Sequence, residues 1–135
     1  MECIFCAIVA GKIPAAKVYE NDHVFAFMDI APANPGHLLI IPKEHYRNIF
    51  DMPAEVGSKI MEAAVPLAAS IREALNPDGL NLFQSNEAAG FQTVFHFHLH
   101  LIPRWDGDPL RLPWKPSEGD IEEIGQIAAK IREVL

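Results

Sequence analysis

The sequence predicts a single-domain α+β protein that combines antiparallel β-hairpins with two amphipathic helices. Residues 93–102 alternate between two kinds of side chain, which is the pattern of a β-strand. Turn residues at 21–22 and 86–90 each separate two strand-like segments, so each pair is expected to form a hairpin. Apolar residues recur at helical spacing in 56–71 and 121–131. With 135 residues, 50% of them hydrophobic, the chain can bury one sizeable core.

The alternating segment carries three histidines on one face of the predicted strand. Successive strand residues point to opposite faces, so His96, His98 and His100 share a face. The other face is apolar and is expected to be core; it consists of Phe95, Phe97, Leu99 and Leu101. Pro103 is expected to end the strand because it lacks a backbone donor.

A row of three imidazoles indicates a functional site, because each ring needs polar partners and contributes little to packing. Alternate residues of a strand lie about 6.6–6.8 Å apart, which separates the first and third Cα atoms by about 13 Å. Zinc–nitrogen bonds of about 2.0–2.1 Å make it difficult for all three rings to reach one ion. Distinct roles, such as ligand, nucleophile and acid, therefore fit better. The alternative is three structural histidines on a solvated sheet face.

The elements of the N-terminal half follow from local signals. A short helical turn is expected at 4–9, closed by Gly11. Strands are expected at 17–20, 23–29 and 37–42, the first two joined by the turn at 21–22. The loop between the second and third strands contains two prolines and a glycine. This rigid loop would either wall a pocket or simply connect the strands.

The C-terminal half is predicted to contain two helices that flank a hairpin. Asp51 and Pro53 mark the start of the first helix, and the turn at 76–79 ends it. The hairpin pairs a strand at 80–85 with the histidine strand. After an irregular polar segment, Ser117 or Asp120 is expected to cap the last helix.

The two cysteines, Cys3 and Cys6, are separated by two residues. In a reducing compartment this spacing favours metal or redox chemistry over a structural disulfide. A thioredoxin-like motif would follow a strand, which a position so near the first residue does not provide. A zinc site would need two more ligands, which histidines would have to supply. The other interpretation is a pair of buried thiols without a metal.

Charge and hydropathy exclude two classes of partner. The formal net charge of −7 gives no basic stripe for a nucleic-acid backbone. No apolar run approaches the roughly 20 residues that span a bilayer, and the N-terminus lacks the features of a signal peptide. The sequence therefore predicts a cytoplasmic protein without nucleic-acid or membrane partners. No Walker-type loop is present, which excludes that class of NTPase.

Several motifs together resemble the histidine triad (HIT) family, whose defining motif is His-φ-His-φ-His-φ-φ. That motif is matched by residues 96–102. Similarity to the Hint-type branch, and within it to zinc-bearing bacterial members, rests on five further stretches in the same order: Cys3-Ile-Phe-Cys6 with Gly11-Lys-Ile-Pro14, Val18-Tyr19-Glu20, Asp29-Ile30-x-Pro32, Gly36-His37 through Pro42-Lys43-x-His45, and Gln92-Thr93-Val94-Phe95.

The resemblance implies one HIT domain over residues 1–135, with a five-stranded antiparallel sheet and two main helices. It also implies a homodimer whose sheets join across the subunit boundary. The implied reaction is cleavage of nucleoside 5′-monophosphate derivatives, such as AMP-NH2 or AMP-lysine, through a nucleotide held on a histidine. The implied substrate is a purine nucleotide, either an AMP or a GMP derivative.

The resemblance also assigns roles to individual residues. His98 matches the nucleophile, while His100 and His37 match histidines that contact the phosphate and handle protons. The nucleotide-binding positions are Asp29, Ile30, Asn86, Gln92 and Thr93. Ser85 or Asn86 is expected to assist the catalytic histidines. The ligands of a structural zinc ion are Cys3, Cys6, His45 and His96. A neutral imidazole is a suitable nucleophile near pH 7.

The sequence departs from the family pattern in two places. Phe91 stands where a glycine usually precedes the Gln, and a bulky ring there would alter the phosphate pocket. The last thirty residues follow no shared pattern, although Trp114 lies in a region that often touches the partner's site in similar proteins. Three other functions stay open: a dinucleoside polyphosphate hydrolase or nucleotide phosphorylase of the same fold, a nucleotide-binding or scaffolding module with incidental turnover, and a metal-dependent hydrolase using His96 and His98.

Overall fold

Five strands and three α-helices form within residues 3–135, the part of the chain that the computed structural model describes. The helices are α1 (Ile4–Val9), α2 (Ala54–Leu75) and α3 (Ile121–Glu133). The strands are β1 (Lys17–Glu20), β2 (Val24–Met28), β3 (Leu38–Pro42), β4 (Gly79–Gln84) and β5 (Leu99–Arg104). They form one antiparallel sheet in the order β1-β2-β3-β5-β4. The predicted α+β class and five-stranded antiparallel sheet are confirmed.

Helix α2 covers one face of the sheet and builds the main core. Its apolar stripe, which includes Ile60, Ala64, Leu67 and Ile71, packs on Val24, Ala26, Leu38, Ile40, Leu99 and Leu101. Burying such a stripe stabilises a helix more than its intrinsic propensity does. The central strands therefore have one face fixed against α2.

The opposite face of the sheet is shared between α1 and the histidines. Phe5 of α1 packs on Phe25, Phe27, Leu39 and Ile41, so β2 and β3 are apolar on both faces. His100 lies beside Leu39 in the register of β5 with β3, and Phe83 lies beside His100 on β4. The half of this face toward β4 therefore carries the histidine side chains.

The predicted strand over residues 93–102 is wrong in its bounds. Strand β5 begins only at Leu99, and the backbone of Phe97 donates to the carbonyl of Tyr46 at 2.7 Å instead of to a neighbouring strand. Pro103 lies inside β5 and does not end it. Its carbonyl accepts from the Asn34 side chain at 2.9 Å, on the side where pairing with β3 stops at Leu101. The missing N–H therefore removes no ladder bond.

The start of α2 also differs from the sequence prediction. Helix α2 begins after Pro53, while the carboxylate of Asp51 accepts from the backbone N–H groups of Arg47 and Asn48. Helix α3 is capped by Asp120, one of the two residues predicted for this cap. Within residues 3–135, no helix is both long and apolar enough to cross a membrane.

Candidate active site

The three histidines meet where the chain enters β5. His96 and His98 are buried and His100 is half-buried, and the rings of His98 and His100 have centroids 4.8 Å apart. The row nevertheless divides into two groups. His96 faces the two thiols, whereas His100 faces His37.

Four side chains converge at the first group, which joins α1, the segment after β3 and the entry to β5. Cys3 caps α1 and Cys6 lies in its first turn, so this short helix presents both sulfurs together. His45 and His96 face them, and one ligand atom from each of the four residues lies within 4.8 Å of the others. The four residues proposed as zinc ligands from the sequence are therefore adjacent in the structure.

Four of the six separations among these atoms match the edges of a tetrahedron around a zinc ion, and the other two are within 4.8 Å. The Nδ1 atoms of His45 and His96 are 3.2 Å apart, and three of the four sulfur–nitrogen pairs are separated by 3.3, 3.5 and 3.5 Å. Zinc bonds of about 2.0–2.1 Å to nitrogen and 2.3 Å to sulfur give tetrahedron edges of about 3.3 and 3.5 Å.

The tautomer of His96 suits a ligand. Its Nε2 lies 2.8 Å from the Pro42 carbonyl, which can only accept, so the proton resides on Nε2. The lone pair on Nδ1 is thereby directed at the sulfurs. A hydrogen bond of this kind on the far nitrogen is the usual support for a ligating imidazole.

His98 presents the opposite nitrogen. Its Nδ1 lies 2.8 Å from the carbonyl oxygen of His96, so Nδ1 carries the proton and Nε2 keeps its lone pair. Burial lowers the pKa of His98 below its ordinary value because the imidazolium is poorly solvated there. The ring is therefore neutral near pH 7, with Nε2 available as a nucleophile.

His37 and His100 form a directed pair. The backbone N–H of Ala33 donates to His37 Nδ1 at 2.9 Å, so the proton of His37 is on Nε2. That Nε2–H donates to His100 Nδ1 at 2.8 Å, which leaves His100 with an Nε2–H that points onward. Burial is the main cause that lowers the pKa of His37, and burial lowers that of His100 to about 4.

This pair has the geometry of a proton path and not of a metal site. Asp29 Oδ2 lies 3.6 Å from His37 Nε2, so Asp29, His37 and His100 form a second group of metal-type ligands. A metal on His37 would need the lone pair of Nε2, but the Ala33 contact places the proton there. His98 belongs to neither group of metal-type ligands, which disfavours the metal-dependent hydrolase that uses His96 and His98 together.

The predicted nucleotide-binding loop follows β2. Asp29 is half-buried and its Oδ1 accepts from the Ala31 backbone at 2.8 Å, while the Asp29 N–H donates to the His37 carbonyl at 3.0 Å. Ile30 is 94% exposed at the mouth of this loop. An apolar side chain held open in this way is available to cover a flat ligand such as a base.

The predicted phosphate-lining residues differ in what they can contact. Gln92 is buried and all of its hydrogen-bonding capacity is used: Oε1 accepts from Glu87 N–H and Asn48 Nδ2, and Nε2 donates to the carbonyls of Arg47 and Val94. Ser85 is buried, Asn86 is half-buried and Thr93 is exposed. Gln92 thus supports the loop. Asn86 accepts twice through Oδ1 and donates once through Nδ2, so one Nδ2 hydrogen is left for a ligand, and the exposed Thr93 is also accessible.

Sequence reasoning missed Arg47, Asn48 and Glu87, which surround Gln92. Asn48 is almost fully buried and bonds to both Glu87 and Gln92. Its Oδ1 also accepts from the Phe50 backbone at 3.0 Å, a local Asx turn, which is the only signal the sequence offered.

Comparison with known proteins identifies the family of this chain. The HIT domain family matches residues 10–107. The chain belongs to the HIT family. Adenosine 5′-monophosphoramidase HNT1 of Saccharomyces cerevisiae is 37% identical over 126 residues, which cover 93% of this chain and 77% of the yeast protein.

Solved HIT structures share the fold over nearly the whole chain. A HIT family protein from Bacillus anthracis is 42% identical, with a TM-score of 0.92, and the match covers 99% of this chain and 97% of that one. A zinc-bound histidine triad family protein from Mycobacterium smegmatis is 38% identical, with a TM-score of 0.78, over 100% of this chain and 99% of that one.

The two aromatic residues noted in the sequence, Phe91 and Trp114, are both on the surface of this HIT chain. Phe91 is 72% exposed and has a φ of +70°, a backbone conformation that residues other than glycine adopt infrequently. Trp114 is also exposed and lies in the irregular segment before α3. Both rings are therefore free to contact another molecule.

Proposed function

We propose that this chain hydrolyses purine nucleoside phosphoramidates, such as AMP-NH2 or AMP-lysine, in the manner of the Hint-type branch. The observation that carries the proposal is the pairing of two tautomers: a lone pair on His98 Nε2 beside an N–H on His100 Nε2. One nitrogen can attack phosphorus while the other serves the departing group. The yeast monophosphoramidase that resembles this chain gives the proposal its substrate class.

In the first step His98 Nε2 forms a bond to the α-phosphorus and the phosphorus–nitrogen bond of the substrate breaks. The positive charge on the substituted ring is shared with Nδ1–H, which the His96 carbonyl holds. The nucleotide is then attached to His98 and the departing amine requires a proton. Splitting one displacement into two lowers each barrier.

The His37–His100 pair is the proton source. A phosphate anion beside His100 would raise its pKa from about 4, so one proton is taken up with the substrate. His37 Nε2–H can turn to Asp29 Oδ2, 3.6 Å away, which frees His100 Nδ1 for that proton. His100 Nε2 then protonates the amine. In the second step neutral His100 accepts a proton from water, the new oxygen–phosphorus bond forms, and His98 leaves with its lone pair restored.

The intermediate gives a direct test of this proposal. Acid-quench mass spectrometry of the wild-type enzyme, mixed briefly with a slow phosphoramidate, should detect an AMP adduct on the peptide that contains His98. A panel of adenosine phosphoramidates, lysine-linked AMP, diadenosine polyphosphates and their guanosine counterparts should rank phosphoramidates first by kcat/KM. Preference for dinucleoside polyphosphates would replace the substrate class, and tight AMP binding without turnover would make the chain a binding module.

We further propose that Cys3, Cys6, His45 and His96 hold a structural zinc ion. The tetrahedral spacing of the four ligand atoms and the tautomer of His96 support this, as does a zinc-bound relative of similar fold. Such an ion, when bound, would supply crosslinking and not catalysis. It would tie α1 to the segment that leads into β5.

A homodimer that extends the sheet is the third part of the proposal. Strand β4 forms an edge of the sheet and exposes Leu82 and Phe83, a combination that favours pairing with another strand. We expect sedimentation at micromolar concentration to give a dimer. Leu82→Lys should shift it to monomer, whereas Val18→Lys, at an equally exposed residue of β1 on the opposite edge of the sheet, should not. A wild-type monomer at that concentration would contradict the dimer.

A further inference from the structure

The segment between β4 and the histidines contains two residues in backbone conformations that favour glycine. Glu87 has φ +64° and ψ +165°, a region that is almost confined to glycine, and Phe91 has φ +70°. Strain of this kind persists only where surrounding contacts fix it. The contacts that fix Glu87 therefore indicate which function the strained conformation serves.

Arg47 and Asn48 hold the side chain of Glu87. The guanidinium of Arg47 donates through Nε and Nη2 to both carboxylate oxygens, each at 2.8 Å. Asn48 Nδ2 donates to the same carboxylate. Arg47 also lies over the ring of Phe95, with its guanidinium carbon 4.3 Å from the ring centroid. A bidentate, stacked arginine has far less freedom than the usual surface ion pair.

Gln92 closes the other side of this arrangement. Its Oε1 accepts from the backbone N–H of Glu87 at 2.8 Å, and its Nε2 donates to the carbonyl of Arg47 at 2.6 Å. The loop is thus fixed to the segment after β3 by its backbone as well as by the Glu87 carboxylate. The strained residue directly follows Asn86, whose Oδ1 accepts from the Ile49 backbone at 2.8 Å.

We infer that Arg47 and Glu87 form a clamp that positions the loop 86–93 for the nucleotide phosphate. This inference rests on the proposed function only in assuming that the phosphate binds against this loop. The clamp holds Glu87 in its strained conformation, and that conformation directs the backbone from Asn86 to Thr93. Arg47 and Glu87 are positioning residues: among residues 3–135 neither makes a hydrogen bond or ion pair with a histidine, so they act on binding more than on bond breaking.

A three-variant comparison tests the clamp. Arg47→Ala should raise KM and the Kd for AMP about tenfold, with kcat changed less than threefold, because the loop relaxes while the histidines stay in place. Glu87→Gly should raise KM only about threefold, because glycine adopts the same conformation without strain. The double variant should match Glu87→Gly, so removing the strained side chain should rescue the loss caused by Arg47→Ala. Lys59→Ala breaks a different exposed ion pair on α2 and should leave KM unchanged.

Hydrogen exchange separates this inference from the proposed function. Backbone amides of residues 86–93 should exchange faster in Arg47→Ala than in wild type, whether or not the protein turns over phosphoramidates. A double variant as weak as Arg47→Ala would overturn the clamp, since it would mean that Arg47 contacts the ligand itself. Unchanged exchange and AMP affinity in Arg47→Ala would also overturn it. If the wild type does not turn over phosphoramidates, but Arg47→Ala still shows faster exchange in the loop and weaker AMP binding, only the proposed function is contradicted.

Discussion

His98→Asn should lower kcat by about three orders of magnitude or more, while AMP affinity and thermal stability stay near wild type. The loss follows because the nucleophilic nitrogen disappears, and removal of a nucleophile is among the most costly single changes in an enzyme. Stability is preserved because the Asn amide can still donate to the His96 carbonyl, as His98 Nδ1 does at 2.8 Å. Single-turnover kinetics and a thermal melt would measure both quantities.

His100→Asn is the matched control. It should reduce the rate for an amine leaving group strongly, but much less for a leaving group that departs without a proton, because His98 still attacks. A His98→Asn enzyme that turns over at a rate comparable to wild type would show that no covalent nucleotide forms. Equal losses on both leaving groups in His100→Asn would argue against its role as the acid.

Replacing both Cys3 and Cys6 by serine should remove the bound metal and lower Tm by about 10 °C or more. Elemental analysis of wild-type protein purified without chelator should give close to one zinc per chain. The expected shift corresponds to a loss of about 3 kcal/mol for a domain of this size. The effect is smaller than in a zinc finger because the core beneath α2 does not depend on the metal.

Histidine variants provide the control for the metal. His45→Ala should lose zinc as the cysteine variant does, whereas His23→Ala should keep it, because His23 is an exposed histidine outside the cluster. Absence of zinc from the wild-type protein would contradict the proposed metal site. Zinc retained by the double cysteine variant would place it elsewhere.

The sequence predicted the sheet and the two main helices because their signals are periodic and local. The alternation of side chains predicted the wrong bounds for one strand: it extended the histidine strand back to Thr93, whereas β5 begins at Leu99. Two contacts remove this stretch from the sheet, namely His96 Nε2 to the Pro42 carbonyl and Phe97 N–H to the Tyr46 carbonyl. Both partners are distant in sequence, so no local pattern could have revealed them.

The supporting side chains of the site were less predictable than its reactive ones. Histidines and cysteines stand out by residue type, and the family motifs included all four residues of the cysteine–histidine group. The motif placed Gln92 among ligand contacts, although the folded chain uses all of its polar atoms internally. Glu87 and Arg47 look like ordinary surface charges in the sequence. Their importance depends on a backbone conformation that only the three-dimensional structure displays.

The continuous run from His96 to His100 has a consequence for how this protein can change. The candidate metal ligand, nucleophile and proton donor are all supplied by these five consecutive residues, of which only the last two lie in β5. Adding or removing one residue there would shift His96 relative to His100, because pairing with Leu39 fixes His100 in β5, and metal binding and chemistry would be lost in a single event. Point substitutions can instead separate the two activities. The run can therefore vary in composition but not in length.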